Sequence, residues 1–337
     1  MSIEQAQHPL LRSWRYALRT CSPPKGKVDG VTRWLVVTRA CVQPMTITSA
    51  LIGGLLAFSH HDFNGWLFGL AAIGVVLAHA SNNMMNDLFD TREGLDRKTY
   101  PRALYAPHPV LAGLITRKGL ITAIIAVNFL DMVIMVVLYL ARGWPIVAFA
   151  LAGFAISFFY TAPPLRLKAW GAGEPSVGIV WGPLMVGGTY YAAVGSIPAA
   201  IWWASIPYAL LVISVLVGKH IDKAPWDEPE GIRTLPVLLG ERVARGLNSS
   251  LIIGFYLTTG ALVAASVLPV WTLAVIGAIP LTLKTLKTFS KPKPSEPPDD
   301  NPVWPLWFAP WAFIHARRSG ALFVLGLVVN LFVPLSF

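Results

Sequence analysis

Long apolar runs are the feature that most narrows what this chain can become. A run of roughly 18 residues with almost no charge is long enough to cross a hydrocarbon layer. Inside that layer each backbone N–H and C=O must bond within its own segment or in a closed barrel, so runs of this length fold as helices. Nine such runs can be placed, at 34–58, 66–86, 119–141, 144–161, 176–198, 201–219, 247–268, 270–290 and 320–337. The fourth is short, and little more than Leu268–Pro269 separates the seventh from the eighth. The expected fold is all-α, a polytopic membrane protein with nine transmembrane helices. Charged residues make up 13% of the chain, against about 25% in a soluble domain.

The net charge of +10 reads as membrane topology and implies no nucleic-acid partner, because positive residues collect on the cytoplasmic side. With the N-terminus inside, the inside connections hold Arg92, Arg97, Lys98, Arg102, Arg117 and Lys118, then Arg166 and Lys168. They continue with Lys223, Arg233, Arg242 and Arg245, and end with Lys291, Lys293, Arg317 and Arg318. The outside connections hold only Arg142. The expected placement is a bacterial inner membrane, with the N-terminus cytoplasmic and the C-terminus outside.

Residues 1–33 carry Arg12, Arg15, Arg19, Lys25 and Lys27 without an apolar signal-peptide core, and read as a basic cytoplasmic arm. Residues 34–290 form a core of eight spans, and 320–337 a final one. Between them, 291–319 begins as a Pro-rich surface linker, and Trp304–Phe313 suits a helix lying in the headgroup zone. Cys21 and Cys41 are too few for a disulfide framework or a metal cluster. The bilayer is an expected partner, and no obligate protein partner is implied.

The acids are uneven: eight of the 17 carboxylates lie in two short runs. The first, Asn82-Asn83-Met84-Met85-Asn86-Asp87-Leu88-Phe89-Asp90-Thr91-Arg92-Glu93-Gly94-Leu95-Asp96, directly follows a span at its cytoplasmic end. Steps of three and four put Asn83, Asn86, Asp87 and Asp90 on one helical face. Paired carboxylates beside a bilayer need compensation, and Mg²⁺ held by one or two carboxylates plus substrate phosphates supplies it. Gly94 is expected to release the helix so that Asp96 turns back toward the site.

The second run, from Lys219-His220-Ile221-Asp222-Lys223 through Pro225, Asp227, Glu228, Pro229 and Glu230 to Gly231, Arg233 and Thr234, also follows a span at its cytoplasmic end. The two runs therefore share a side and a depth. Opposed carboxylate clusters can hold Mg²⁺ that bridges a diphosphate and stabilises it as a leaving group. Lys219, Lys223 and Arg233 suit its outer oxygens. Pro225 and Pro229 argue against a straight helix, so spacing does not say which acids share a face.

These runs resemble the signatures of the UbiA superfamily of intramembrane prenyltransferases. Asn86, Asp87, Asp90 and Asp96 look like its first signature, Asn-Asp, two residues, Asp, then a later Asp. Asp227, Gly231, Arg233, Thr234 and Leu235 follow the second, which usually has two Asp four apart; here Asp222 and Asp227 are five apart. A third stretch, Tyr160-Thr161-Ala162-Pro163-Pro164 through Arg166 and Lys168 to Gly171, Gly173 and Glu174, then Gly182–Tyr191, is similar to the branch that prenylates 1,4-dihydroxy-2-naphthoate for menaquinone. The resemblance covers roughly 35–290 and implies nine helices around a central cavity, with Mg²⁺ as cofactor. It also implies a prenyl diphosphate donor and a hydrophobic or aromatic acceptor. Catalysis falls to Asp87, Asp90 and Asp227, with Asp96 and Asp222 as further metal ligands. Asn83, Asn86, Arg97, Lys98, Tyr160, Lys168, Lys219, Lys223 and Arg233 then face the diphosphate or substrate.

Two other readings stay open. The acceptor can instead be a non-aromatic lipid or alcohol. A transporter also uses membrane carboxylates, although these acids sit at helix ends on one side. Asp131 is the exception, inside the third span without an obvious sequence partner.

Overall fold

A computed structural model describes residues 9–92, 94, 99–298, 301 and 303–335. The chain begins with two short helices, α1 (Pro9–Thr20) and α2 (Gly30–Val37). Asp29 caps α2, accepting from the backbone of Val31 and Thr32, and also accepts from the Trp14 indole of α1. Those bonds fold the arm back on itself, and the Thr32 hydroxyl, donating to the same carboxylate, leads them in holding the Asp29 carboxyl down at about 2. Cys21 and Cys41 are joined in a disulfide, with Cα atoms 5.4 Å apart. Counting cysteines could not show this pairing, because it depends on the arm folding back.

The bundle follows: α3 (Gln43–Phe58), α4 (Gly65–Arg92), a short α5 (Pro101–Tyr105), α6 (Arg117–Arg142) and α7 (Pro145–Thr161). Next come α8 (Gly173–Ile179), a π-helical Val180–Gly187, α9 (Gly188–Val194), α10 (Ala199–Ala204) and α11 (Ile206–Asp227). The last are α12 (Leu235–Leu239), α13 (Glu241–Ala264), α14 (Ile279–Phe289) behind the 3-10 segment Val270–Ala278, and α15 (Phe308–Phe332). Among the described residues, eight helical segments are long and apolar enough to cross a membrane. The expected fourth span is present as α7, 17 residues long and below that length.

Close approach of backbones builds the interior. A Cβ on Gly53 would lie 2.2 Å from Thr189 Oγ1, and one on Gly326 would lie 2.2 Å from the Trp271 carbonyl. Small residues that admit a neighbouring backbone are the usual device where lipid offers no hydrophobic drive for helix association.

Several helices run past their expected ends, and the extensions of α4 and α11 carry acids of the two acidic runs. α4 continues to Arg92, carrying the first acidic run on helix, and Gly94 then takes φ +74° as the release point. α11 continues through Pro225 to Asp227. A proline in the final turn removes only one backbone bond, and the helix ends before Pro229, so the run is not one straight helix. The last span starts at Phe308 rather than 320, so the second half of the aromatic run is helix. Phe308, Ala309 and Ala312 are buried.

Candidate active site

The C-terminal ends of α4, α7 and α11 meet at one end of the bundle. Thr161, closing α7, donates to the Asn86 carbonyl oxygen, and Asn86 donates to Asn82 at 3.0 Å. The chain then passes a left-handed Arg166 (φ 44°) into the 3-10 turn Leu167–Trp170, which aims Lys168 at Asp90. The Ala169 carbonyl accepts the Arg233 N–H at 3.1 Å, stitching this turn to the segment after α11.

Each described site carboxylate faces a base. Asp87 is fully buried and pairs with Arg39, with His108 Nε2 at 3.7 Å. Asp90 pairs with Lys168. Asp227 pairs with Lys223 at 3.4 Å and accepts from the Tyr100 hydroxyl. Burial raises the Tyr100 hydroxyl above its ordinary value, which keeps it a donor. Asp227 Oδ2 is buried and has no hydrogen-bond partner among the described residues. An orphaned carboxylate oxygen is costly unless something completes it, and a hard divalent cation fits an oxygen donor of this kind. Among the described residues, the three possible ligands gathered within 4.8 Å are His60, His61 and Asp62 in the α3–α4 connection. The site's acids are therefore held apart by bases rather than nested.

Asp222 does not join them. Its carboxylate accepts the backbone N–H groups of Trp307 (2.8 Å), Phe308 (3.1 Å) and Ala309 (2.9 Å). It thereby caps α15, with Lys293 Nζ at 3.8 Å. Asp222, expected as a metal ligand, is thus placed on the α15 backbone rather than beside Asp227. Three N–H donors at a helix N-terminus satisfy the carboxylate with no cation from the substrate side.

Other expected residues divide as well. Asn83 is mostly committed to structure, donating to the Thr38 carbonyl at 3.2 Å behind α2. Lys219 lies on α11 one turn before Lys223 and is partly buried. Arg233 is exposed and makes its bond through the backbone. Asp96, Arg97 and Lys98 lie outside the described residues. Tyr160 is brought within electrostatic reach of Glu174, Lys223, Asp90 and Asp227. Sequence reasoning missed Arg39, Tyr100 and His108 as neighbours of these acids, and the pair His220 Nδ1–Glu174 Oε1 at 2.7 Å. Arg39 carries no motif, and its left-handed φ of 52° is not written in residue type.

From this charged end a cavity of about 480 Å³ opens into the bundle, lined mainly by apolar side chains of α4, α6 and α7 and of the segment 176–192. Asn82, Met85 and Tyr160 line it, as do Ala71 and Ile146. Along α4, Met85 and Ala71 are about 21 Å apart at the rise of ~1.5 Å per residue. Asp131 lines the same cavity, with Oδ1 3.1 Å from where a Cβ on Gly74 would stand. It shares the space with His79, whose Nδ1 is bonded to Thr46 at 2.7 Å. A long apolar cavity whose Tyr160 stands within electrostatic reach of Asp90, Asp227 and Lys223 can receive an amphiphile with a charged head and a hydrocarbon tail.

Comparison with known proteins bears on this geometry. The model of the UbiA prenyltransferase family matches residues 46–302. The 2-carboxy-1,4-naphthoquinone phytyltransferase of Synechocystis is 25% identical over 247 residues, covering 73% of this chain and 77% of its own length. The 1,4-dihydroxy-2-naphthoate octaprenyltransferase of Bacillus subtilis is 25% identical over 256 residues, covering 73% and 80%. The digeranylgeranylglyceryl phosphate synthase of Natronomonas pharaonis is 27% identical over 212 residues, covering 60% and 70%. In structure, a UbiA homolog from Aeropyrum pernix K1 superposes with a TM-score of 0.66 at 18% identity, covering 86% of this chain and 98% of that one. A UbiA homolog from Archaeoglobus fulgidus bound to DMAPP and Mg²⁺ superposes with a TM-score of 0.52 at 16% identity, covering 86% and 99%.

Proposed function

Because the chain belongs to the UbiA prenyltransferase family, we propose that it transfers a prenyl group from a prenyl diphosphate to 1,4-dihydroxy-2-naphthoate or a close aromatic relative, with Mg²⁺ as cofactor. The observation that carries this reading is that α4's Asp90 and α11's Asp227 both come within electrostatic reach of Tyr160, which lines the apolar cavity, with Asp87 one turn before Asp90. Asp87, Asp90 and the unpartnered Oδ2 of Asp227 are the described oxygens that would hold the ion. When bound, Mg²⁺ supplies positive charge against the departing diphosphate.

The chain's own residues account for the rest. Arg39, Lys168 and Lys223, now resting on carboxylates, exchange those partners for phosphate oxygens when the donor enters. Tyr100 keeps Asp227 in place during the exchange. The cavity receives the isoprenoid tail and keeps water from the allylic carbon. Tyr160, between the charged end and the cavity, presents an aromatic ring where positive charge develops as the C–O bond breaks. The acceptor's electron-rich ring carbon then bonds to the allylic carbon. With a naphthoate, that carbon loses its carboxylate as CO₂.

The acceptor assignment draws on the stretch Tyr160–Glu174 and on two naphthalene-named relatives. Purified protein incubated with prenyl diphosphates and a panel of aromatic, alcohol and glyceryl phosphate acceptors tests it, with products identified by mass. A prenylated naphthoquinol is the expected product. Product only from a non-aromatic alcohol or glyceryl phosphate overturns the acceptor and leaves prenyl transfer standing. We also propose that the charged end faces the cytoplasm of a bacterial cell membrane, since the basic residues gather there.

A further inference from the structure

The two acid-bearing helix ends differ in fixed charge. On α4, Asp87 and Asp90 stand one turn apart, two carboxylates toward one site. On α11 the residue one turn before Asp227 is Lys223, with Nζ 3.4 Å from Asp227 Oδ1. Asp222, the neighbouring acid, is turned away and spent on the α15 backbone. Lys223 Nζ also lies 4.7 Å from the centroid of the Tyr100 ring, and the Tyr100 hydroxyl donates to the same Asp227 oxygen. A carboxylate and an aromatic face thus position this ammonium, and only 13% of its side chain is exposed.

A lysine where a second carboxylate would complete an acid pair changes the fixed charge by two units. Two units is the charge of one divalent cation. Diphosphate oxygens accept either source, and lysine serves as a point charge for phosphate.

On the premise that the chain binds a prenyl diphosphate, we propose that Lys223 takes the place of a second divalent cation. The diphosphate is then gripped by one Mg²⁺ and one ammonium, with Asp227 as the positioning residue for Lys223 and its Oδ2 as the single α11 oxygen toward the ion.

The test counts ions rather than turnover. The full chain in lipid nanodiscs is equilibrated with Mn²⁺ and an unreactive prenyl thiolodiphosphate, and bound Mn²⁺ is measured by dialysis and electron paramagnetic resonance. One Mn²⁺ per chain is expected, with the spectrum of an isolated ion. Lys223→Asp is expected to bind two and to show the exchange broadening of ions about 4 Å apart. Lys223→Met is expected to keep one ion and lose about tenfold or more in affinity for the analogue. Two ions per parent chain overturns the inference and leaves the prenyl-transfer reading intact. A folded Lys223→Asp protein that still binds one ion overturns it as well. No retained analogue and no Mn²⁺ in the parent overturns both. The parent count stands whether or not either variant folds.

Discussion

The ends of α4 and α11 look alike in sequence, each an apolar helix running into a cluster of acids, yet they are built on different plans. On α4, Asp87 is buried against Arg39 and Asp90 reaches Lys168, so both acids are ion-paired with side chains at the same end of the bundle. On α11, the two aspartates part company. Asp227 faces Tyr100 and Lys223, while Asp222 binds the first backbone amides of α15. Helical geometry explains the split. Residues five apart are separated by about 140° around a helix, and residues four apart by about 40°. A one-residue change in spacing therefore converts a shared face into two opposed ones.

The largest effect that would break this comparison is expected on α4. Asp87→Asn or Asp90→Asn should lower turnover at least about a hundredfold, which is about 3 kcal/mol of transition-state stabilisation. Asp90→Asn in detergent should keep its melting behaviour, whereas Asp87→Asn should melt earlier because Arg39 loses that buried carboxylate, so its turnover is read below its melting range. Turnover within threefold of the parent would remove the α4 cluster from the chemistry.

Asp227→Asn should raise the Mg²⁺ concentration needed for half-maximal activity about tenfold, the loss of one ionised oxygen. It should also weaken donor binding, because Lys223 loses the carboxylate that positions it. If a Mg²⁺ titration and a donor-binding curve both match the parent, α11 belongs to structure alone.

Asp222→Ala sharpens the contrast by separating stability from metal. It removes a buried, charged acceptor of three amides, so unfolding should become easier by about 2 kcal/mol. The Mg²⁺ requirement of the folded protein should stay within twofold. A tenfold rise in that requirement with an unchanged melting curve would return Asp222 to the site and erase the difference between the two ends.

The smallest effect is expected from Tyr100→Phe. It removes the hydroxyl bonded to Asp227 and keeps the ring under Lys223. One hydrogen bond to a charged group points to a loss of about tenfold or less, read as a rise in donor KM with little change in kcat. A loss as large as that of Asp87→Asn would make Tyr100 a participant in the chemistry rather than a support for Asp227.

Much of this molecule was legible before any coordinates. Apolar runs had to become helices because a bilayer leaves the backbone no other partner. Spacings of three and four brought Asn86, Asp87 and Asp90 to one face, since α4 stays regular to Arg92. Lys168 and Tyr160 were found through their stretch of chain, and the structure sets them beside Asp90 and the cavity.

What local pattern could not show was competition for the same residue from distant segments. Asp222 is claimed by amides 85 to 87 positions later. Arg39 reaches Asp87 across 48 residues, and Tyr100 reaches Asp227 across 127. Pro225 reads as a helix breaker, yet the helix runs on to Asp227. Sequence by itself determined the apolar helices and the residues gathered at the charged end, because these follow from backbone satisfaction, periodicity and residue type. Only the tertiary structure decided which acid faces Lys223 and Tyr100 and which caps α15. A carboxylate takes the hydrogen bonds that packing brings within reach, and packing is a property of the whole chain.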